Sequence, residues 1–285
     1  MAEPGFTPQG LDALAPREIA EKAEETGVKK ASLPVLDLFA LAVLAGAFIA
    51  MGAVFATTVL AGSSELPFGV ARLLAGLAFT LGLVLVVVAG AELFTGNNLM
   101  VMAWASRRLA TGRLLTVWAI VYVGNFAGAV ATAGLVAASG QYEFGKGAIG
   151  QAALAIAATK TGLGFGQAIA LGALCNALVC IAVWLTYSAH TTGDKILAII
   201  LPIAAFVAAG FEHSVANMYF VAAGLFIEQD AAFVASLSGE PDLSGLTWHG
   251  FLVDNLVPVT IGNILGGSLM VGAVYWFVYL RRRPA

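Results

Sequence analysis

Charge is what this sequence has least of. Only 11% of its 285 residues are Asp, Glu, Lys or Arg, where a soluble domain carries about 25%. Hydrophobic residues make up 60%, and mean hydropathy is +0.90. Too little polar surface is available to face water, so the solvent of this chain is lipid. A basic excess is also missing. The net charge is -3, which gives nucleic acid no electrostatic footprint. The two cysteines, Cys175 and Cys180, share one apolar run. They lack the spacing of a disulfide framework, a zinc site or a redox motif, and read as small apolar residues. His190, His213 and His249 are scattered, so neither a metal site nor a cofactor is expected. No nucleophile–base pair stands out, which argues against an enzyme built on Glu212 and His213. The first 30 residues hold no apolar run of the secretory-signal kind. The first membrane span is therefore expected to act as its own insertion signal.

What the sequence has in quantity is long uncharged runs. Leu38 to Ala61, Leu114 to Tyr142, Thr161 to Gly193 (most apolar from Phe165 to Ser188) and Asn255 to Leu280 are four of them. Each exceeds the roughly 20 residues that a helix needs to cross the hydrocarbon core. Two further regions differ. Arg72 to Arg107 is interrupted only by Glu92, and Lys195 to Glu228 is interrupted among acidic and basic residues only by Glu212. Both are too long for one straight span and too short for two. An interrupted helix fits: two halves joined by non-helical backbone, which is tolerated at membrane depth only where it is buried in protein or lines a cavity. The expected fold is an all-α membrane protein with six transmembrane helices, the second and fifth of them broken.

The basic residues give an orientation. Segments 1–34, 106–113, 189–195 and 281–285 hold Arg17, Lys22, Lys29, Lys30, Arg107, Arg108, Arg113, Lys195, Arg281, Arg282 and Arg283. The opposite side holds Arg72, Lys146 and Lys160. The positive-inside rule then places both termini in the cytoplasm. Residues 228–254 form an acidic outer loop with Glu228, Asp230, Glu240, Asp242 and Asp254. The chain divides into a cytoplasmic N-terminal segment, 1–34, and a transmembrane channel domain, 35–285. The N-terminal segment is expected to carry a short helix from Pro16, suited to a first turn, to Gly27, suited to a stop.

An internal repeat is legible. GAELFTGN (Gly90 to Asn97) and GFEHSVAN (Gly210 to Asn217) both read G-x-E-x-x-x-x-N, each inside a broken span. GNFAG (Gly124 to Gly128) and GNILG (Gly262 to Gly266) follow in the next spans of each half. Three spans per half is odd, so the halves are expected to be inverted three-helix repeats. In such folds half-helix N-termini meet at the midplane and point at an anion. Here those half-helices are expected to begin near Asn97 and Val215.

His213 is the first candidate side chain. An ionisable group at membrane depth is functional by default, and an unperturbed histidine titrates near neutral pH. The alternative is a histidine that braces the loop. Glu92 and Glu212 would repel anions. They are expected to accept hydrogen bonds from loop backbone or to pair with a neighbouring span, with Asn97 and Asn217 satisfying loop backbone in the same way. The Thr95 hydroxyl either caps the next half-helix or donates to a passing anion. Lys160 is either a vestibule cation that gathers anions or an ordinary interfacial lysine. Nothing in their spacing separates Phe79, Leu83, Phe206 and Val179 from core residues.

The runs GAELFTGN, CNALVCIAVW, LPIAAFVAAGFEHSVANM and DNLVPVTIGNILGG, with the leader PREIAEKAEETGVKKA, resemble signature segments of the formate/nitrite transporter family. The resemblance implies an aquaporin-like fold and a homopentamer in a bacterial inner membrane, with one pore per protomer. It implies a central pore histidine at His213 and a first-break loop at Leu93, Phe94 and Thr95. It also implies apolar constrictions from Phe79, Leu83, Leu93, Val179 and Phe206, a vestibule lysine at Lys160, a pore-side asparagine at Asn176 and an N-terminal gating helix. Gly96 departs from the serine that formate channels often carry after this threonine. WHGFLVDNLVPVTIGN and the long loop before it lean toward the formate branch. The expected function is passive or proton-coupled transport of formate or a similar small monovalent anion. Nitrite, hydrosulfide and lactate remain alternatives, and a water- or glycerol-type pore is a distant one, since no Asn-Pro-Ala motif occurs.

Overall fold

The computed structural model describes residues 13–237 and 242–282. Residues 1–12 of the N-terminal segment, Glu240 of the acidic loop and Arg283 of the basic cluster lie outside these ranges. Among the described residues all regular structure is helical. Six helices are long and apolar enough to cross a membrane: α2 (Val35–Leu60), α3 (Phe68–Ala89), α6 (Thr111–Ala138), α8 (Phe165–Ser188), α9 (Thr192–Ala209) and α12 (Gly250–Leu280). Between them lie α1 (Pro16–Ala31), α4 (Phe94–Asn97), α5 (Val101–Ala105), α7 (Ala148–Thr161), α10 (Ser214–Ile227) and α11 (Ala231–Ser236).

The uncharged runs therefore become helices, and both interrupted runs break where expected. The second is α3 followed by α4, a 3₁₀ turn at Asn98–Met100 and α5; the fifth is α9 followed by α10. Two expectations need correction. The N-terminal helix runs through Gly27 to Ala31, because Gly27 packs there: an added Cβ would lie 3.3 Å from Ala103 Cβ. The half-helices begin at Phe94 and Ser214, and the first starts three residues before Asn97.

Small residues set the packing, as expected where lipid removes the hydrophobic drive between helices. The second glycine of each G-N-x-x-G motif marks a close crossing. A Cβ on Gly128 would lie 2.0 Å from the Val43 carbonyl oxygen, where α6 crosses α2. A Cβ on Gly266 would lie 2.0 Å from the Ala173 carbonyl oxygen, where α12 crosses α8. The half-helices α3 and α9 pack on each other, and α10 packs on α6 and α7. Beyond α10, Asp230 caps α11 by accepting from Phe233 N (3.0 Å) and also accepts from the Tyr142 hydroxyl (2.8 Å). These bonds hold its carboxyl below the usual range.

Candidate functional site

The site is built by the two breaks. Each helix before a break ends on a glycine in the left-handed region, Gly90 at φ 81° and Gly210 at φ 77°, a cap that carries no steric penalty only for glycine. Three non-helical residues follow, and at membrane depth their backbone must find partners inside the protein. The two halves use the same solution. Glu92 N donates to Leu41 O (3.2 Å), and Glu212 N donates to Leu171 O (3.3 Å). Asn125 Oδ1 accepts from Phe94 N, and Asn263 Oδ1 accepts from Ser214 N, both at 2.9 Å. The Asn125 amide donates to Glu92 O (2.9 Å) and Ala42 O (2.7 Å). The Asn263 amide donates to Glu212 O and Gly172 O, each at 2.9 Å. The asparagine of each G-N-x-x-G motif thus clamps its own break, while the flanking glycines let its helix come close.

The carboxylates are paired in matching fashion. Glu92 Oε2 accepts from Lys30 Nζ and Asn97 Nδ2, both at 2.8 Å, and Lys30 Nζ also donates to Asn97 Oδ1 (2.8 Å). Glu212 Oε1 accepts from Lys160 Nζ (2.8 Å) and Oε2 from Asn217 Nδ2 (2.6 Å). Asn217 Nδ2 also donates to Asn255 Oδ1 (2.8 Å). Lys30 is the penultimate residue of α1 and Lys160 that of α7. The repeat therefore reaches back to a short helix and a lysine ahead of each half.

His213 connects the halves. Its Nδ1 accepts from Ala216 N (3.0 Å), capping α10. That bond leaves the proton on Nε2, which lies 2.9 Å from Thr95 Oγ1 and donates to it. The ring stacks on Phe206 at 5.8 Å between centroids. Two cavities flank this contact. One of about 260 Å³ is lined by Arg72, Phe79, Lys160, Phe206, Glu212 and His213, among others. The other, about 200 Å³, is lined by Lys30, Leu83, Glu92, Leu93 and Asn97, among others. Phe79 and Leu83 are successive turns of α3, so the cavities are stacked along that helix about 6 Å apart there. Between them Phe79, Leu83, Leu93 and Phe206 are each 2–3% exposed, an apolar closure with one polar bridge, His213 to Thr95.

The comparisons with known proteins agree with this geometry. The family model described as "Formate/nitrite transporter" matches residues 17–277. The chain belongs to the formate/nitrite transporter family. Membership makes it a multi-pass transporter rather than an enzyme. "Formate channel FocA" of Escherichia coli (strain K12) is 45% identical over 274 residues, 95% of this chain and 96% of that protein. "Formate channel FocA" of Haemophilus influenzae is 39% identical over 91% of this chain and 93% of that protein. Among solved structures, one titled "Pentameric formate channel with formate bound" superposes with a TM-score of 0.79 at 41% identity, covering 87% of this chain and 98% of its own.

Within this family member, the structure sorts the expected site residues. It brings together His213, Thr95, Phe79, Leu83, Leu93 and Phe206. It corrects others. Thr95 does not cap α4, whose N-cap is Leu93 without a side-chain bond; its hydroxyl meets His213 instead. Lys160 lines one cavity and is not an exposed interfacial lysine, but it is no isolated cation there: its side chain is 12% exposed and paired with Glu212. Asn97 and Asn217 bond to the carboxylates, not to loop backbone. Asn176 lines neither cavity; its amide donates to Thr95 O, Asn98 Oδ1 and Asn263 O, tying α8 to the first break and α12. Phe94 packs away from both cavities, edge-on to Tyr122 at 4.9 Å, and Val179 lines neither. Sequence reasoning missed Lys30, Asn125, Asn263 and the helix α7. The motif G-N-x-x-G held the signal for the two asparagines.

Proposed function

We propose that this protein conducts formate, or a monovalent anion of similar size, across a bacterial inner membrane. Each protomer of a homopentamer carries one path, and both termini lie in the cytoplasm. The two halves act as inverted repeats, which the one-for-one hydrogen bonds at the breaks support. The observation that carries the reading is the donor pair at the apolar closure, His213 Nε2–H and the Thr95 hydroxyl, placed between two lysine-bearing cavities. A charge at mid-membrane costs about 2.5–3.5 kcal/mol on insertion scales. A formate oxygen arriving between Phe79 and Phe206 would take the Nε2–H bond from Thr95, and the freed hydroxyl would turn to donate as well. The N-terminus of α10 adds partial positive charge at the same point. Proton delivery is a separate event. His213 can give up its Nε2 proton without leaving an imidazolate only after gaining one on Nδ1, which breaks the bond from Ala216. The resting geometry is thus that of a hydrogen-bond donor.

The test is solute flux into liposomes containing the purified protein. Formate, nitrite, hydrosulfide and lactate form the anion panel, with glycerol as the neutral solute. Formate flux well above that of empty liposomes, with no glycerol flux, supports the reading. Glycerol flux without anion flux would overturn it.

A further inference from the structure

The charged residues that line the two cavities match, one lysine and one glutamate in each, except for Arg72. The cavity beside Lys30 is lined by one cation and one carboxylate, Glu92. The cavity beside Lys160 is lined by Lys160, Glu212 and also Arg72. Arg72 stands eighteen residues before Gly90; eighteen residues before Gly210 stands Thr192, so the second half carries no counterpart. From α3 the Arg72 side chain crosses to α9. There Nε donates to Ala208 O (3.2 Å) and Nη2 donates to Val207 O, which also accepts from Gly210 N (3.1 Å), so the side chain ties α3 to the last turn of α9. Gly210 lies beside it: a Cβ built there would be 3.4 Å from Nη2. A guanidinium has five N–H donors. Two are used, and the remaining three have no partner among the described residues. No carboxylate lies within 4.0 Å of Arg72 among the described residues. Both oxygens of Glu212, the cavity's one carboxylate, are already bonded to Lys160 and Asn217.

We propose that Arg72 is an anion-anchoring residue of this cavity, holding a small carboxylate through its free Nη1 and Nη2 N–H groups before the ion reaches His213. The chemistry suits it. A planar guanidinium fork matches a planar carboxylate, and here its charge is not cancelled by a fixed acid. Its two carbonyl bonds hold the fork rigid, so little side-chain freedom remains to be lost when the anion binds. Lys160 is neutralised by Glu212, which leaves Arg72 as the group that gives the cavity its net positive charge.

This inference rests on the protein conducting formate, so wild-type flux is measured first in the same liposomes. Initial formate flux is then recorded over a range of formate concentrations, at low and high ionic strength, for wild type, Arg72→Lys, Arg72→Gln and Arg72→Met. Assembly is checked by the elution volume in detergent, and a neutral variant that fails to assemble is replaced by the other. Anchoring predicts half-saturation about tenfold higher in the neutral variants, a shift of the size that charge focusing gives, with near-unchanged maximal flux. Arg72→Lys should fall between, and only the charged proteins should lose apparent affinity as salt rises. A role confined to capping α9 predicts a different order. Gln, which can still donate to a carbonyl, would then be as stable as wild type, Met would be less stable, and half-saturation would be unchanged in both. Assembled neutral variants with wild-type half-saturation would overturn the proposal while leaving formate conduction intact. A wild type that does not pass formate would instead overturn the function on which it rests.

Discussion

Glu92 and Glu212 are buried carboxylates at the two breaks, and an unpaired charge there would be prohibitive. Each is answered by a lysine and an asparagine from its own half. The pairing changes what a lysine deletion means. Lys160→Ala removes a cation and also strands Glu212, and breaking such a buried pair costs about 3–5 kcal/mol. We predict that Lys160→Ala lowers the unfolding temperature and formate flux together, whereas Lys160→Ala combined with Glu212→Gln recovers much of both. Differential scanning fluorimetry and liposome flux on the two variants check this. Flux in the double variant no better than in Lys160→Ala would mean that the lysine acts by its charge alone. The lysine partner of Glu92 was not legible in the sequence. Lys30 sits beside Lys29 in a polar helix, 62 residues before the carboxylate it reaches, and no local spacing marks it.

At the scale of elements, each broken helix is clamped by an asparagine on the next long helix. Hydropathy showed the breaks, because Glu92 and Glu212 interrupt runs too long for one span. It could not show what holds them, because the clamps lie 31 and 49 residues further along the chain. The G-N-x-x-G repeat was visible as a pattern; its meaning, two glycines for close approach and an asparagine for three backbone bonds, needed the crossings of α6 on α2 and α12 on α8. The helix α7 escaped notice for a different reason. Its 14 residues are too short and too alanine-rich to read as a span. Asn263→Ala should leave Ser214 N, Glu212 O and Gly172 O without this partner, at roughly 1–3 kcal/mol for each buried group left unsatisfied. The expected result is lost assembly or a markedly lower unfolding temperature, and Asn125→Ala should behave alike because its bonds match. Thermal unfolding in detergent measures both. A loss in one variant only would show that the two breaks are not mechanically equivalent.

For the whole molecule, the six spans, their order and the two breaks followed from hydropathy and charge. The closure between the cavities did not, since Phe79, Leu83, Leu93 and Phe206 come from three separate segments and look like any core residues. The oligomer is a further step: the protein should run as a pentamer in mild detergent, and native mass spectrometry giving a stable monomer or tetramer would count against it. The central claim is that the anion passes the contact between His213 and Thr95, where the histidine is a donor and, on gaining a proton at Nδ1, a proton carrier. Formate flux into liposomes across roughly pH 5–8 tests it with His213→Asn and His213→Phe. Asparagine keeps a donor but cannot titrate, so the account predicts a pore that still conducts with an altered pH profile. Phenylalanine removes the donor, and formate flux should fall by an order of magnitude or more in protein that still assembles. Wild-type flux through assembled His213→Phe pentamers would contradict the account, because the anion would then be crossing somewhere else.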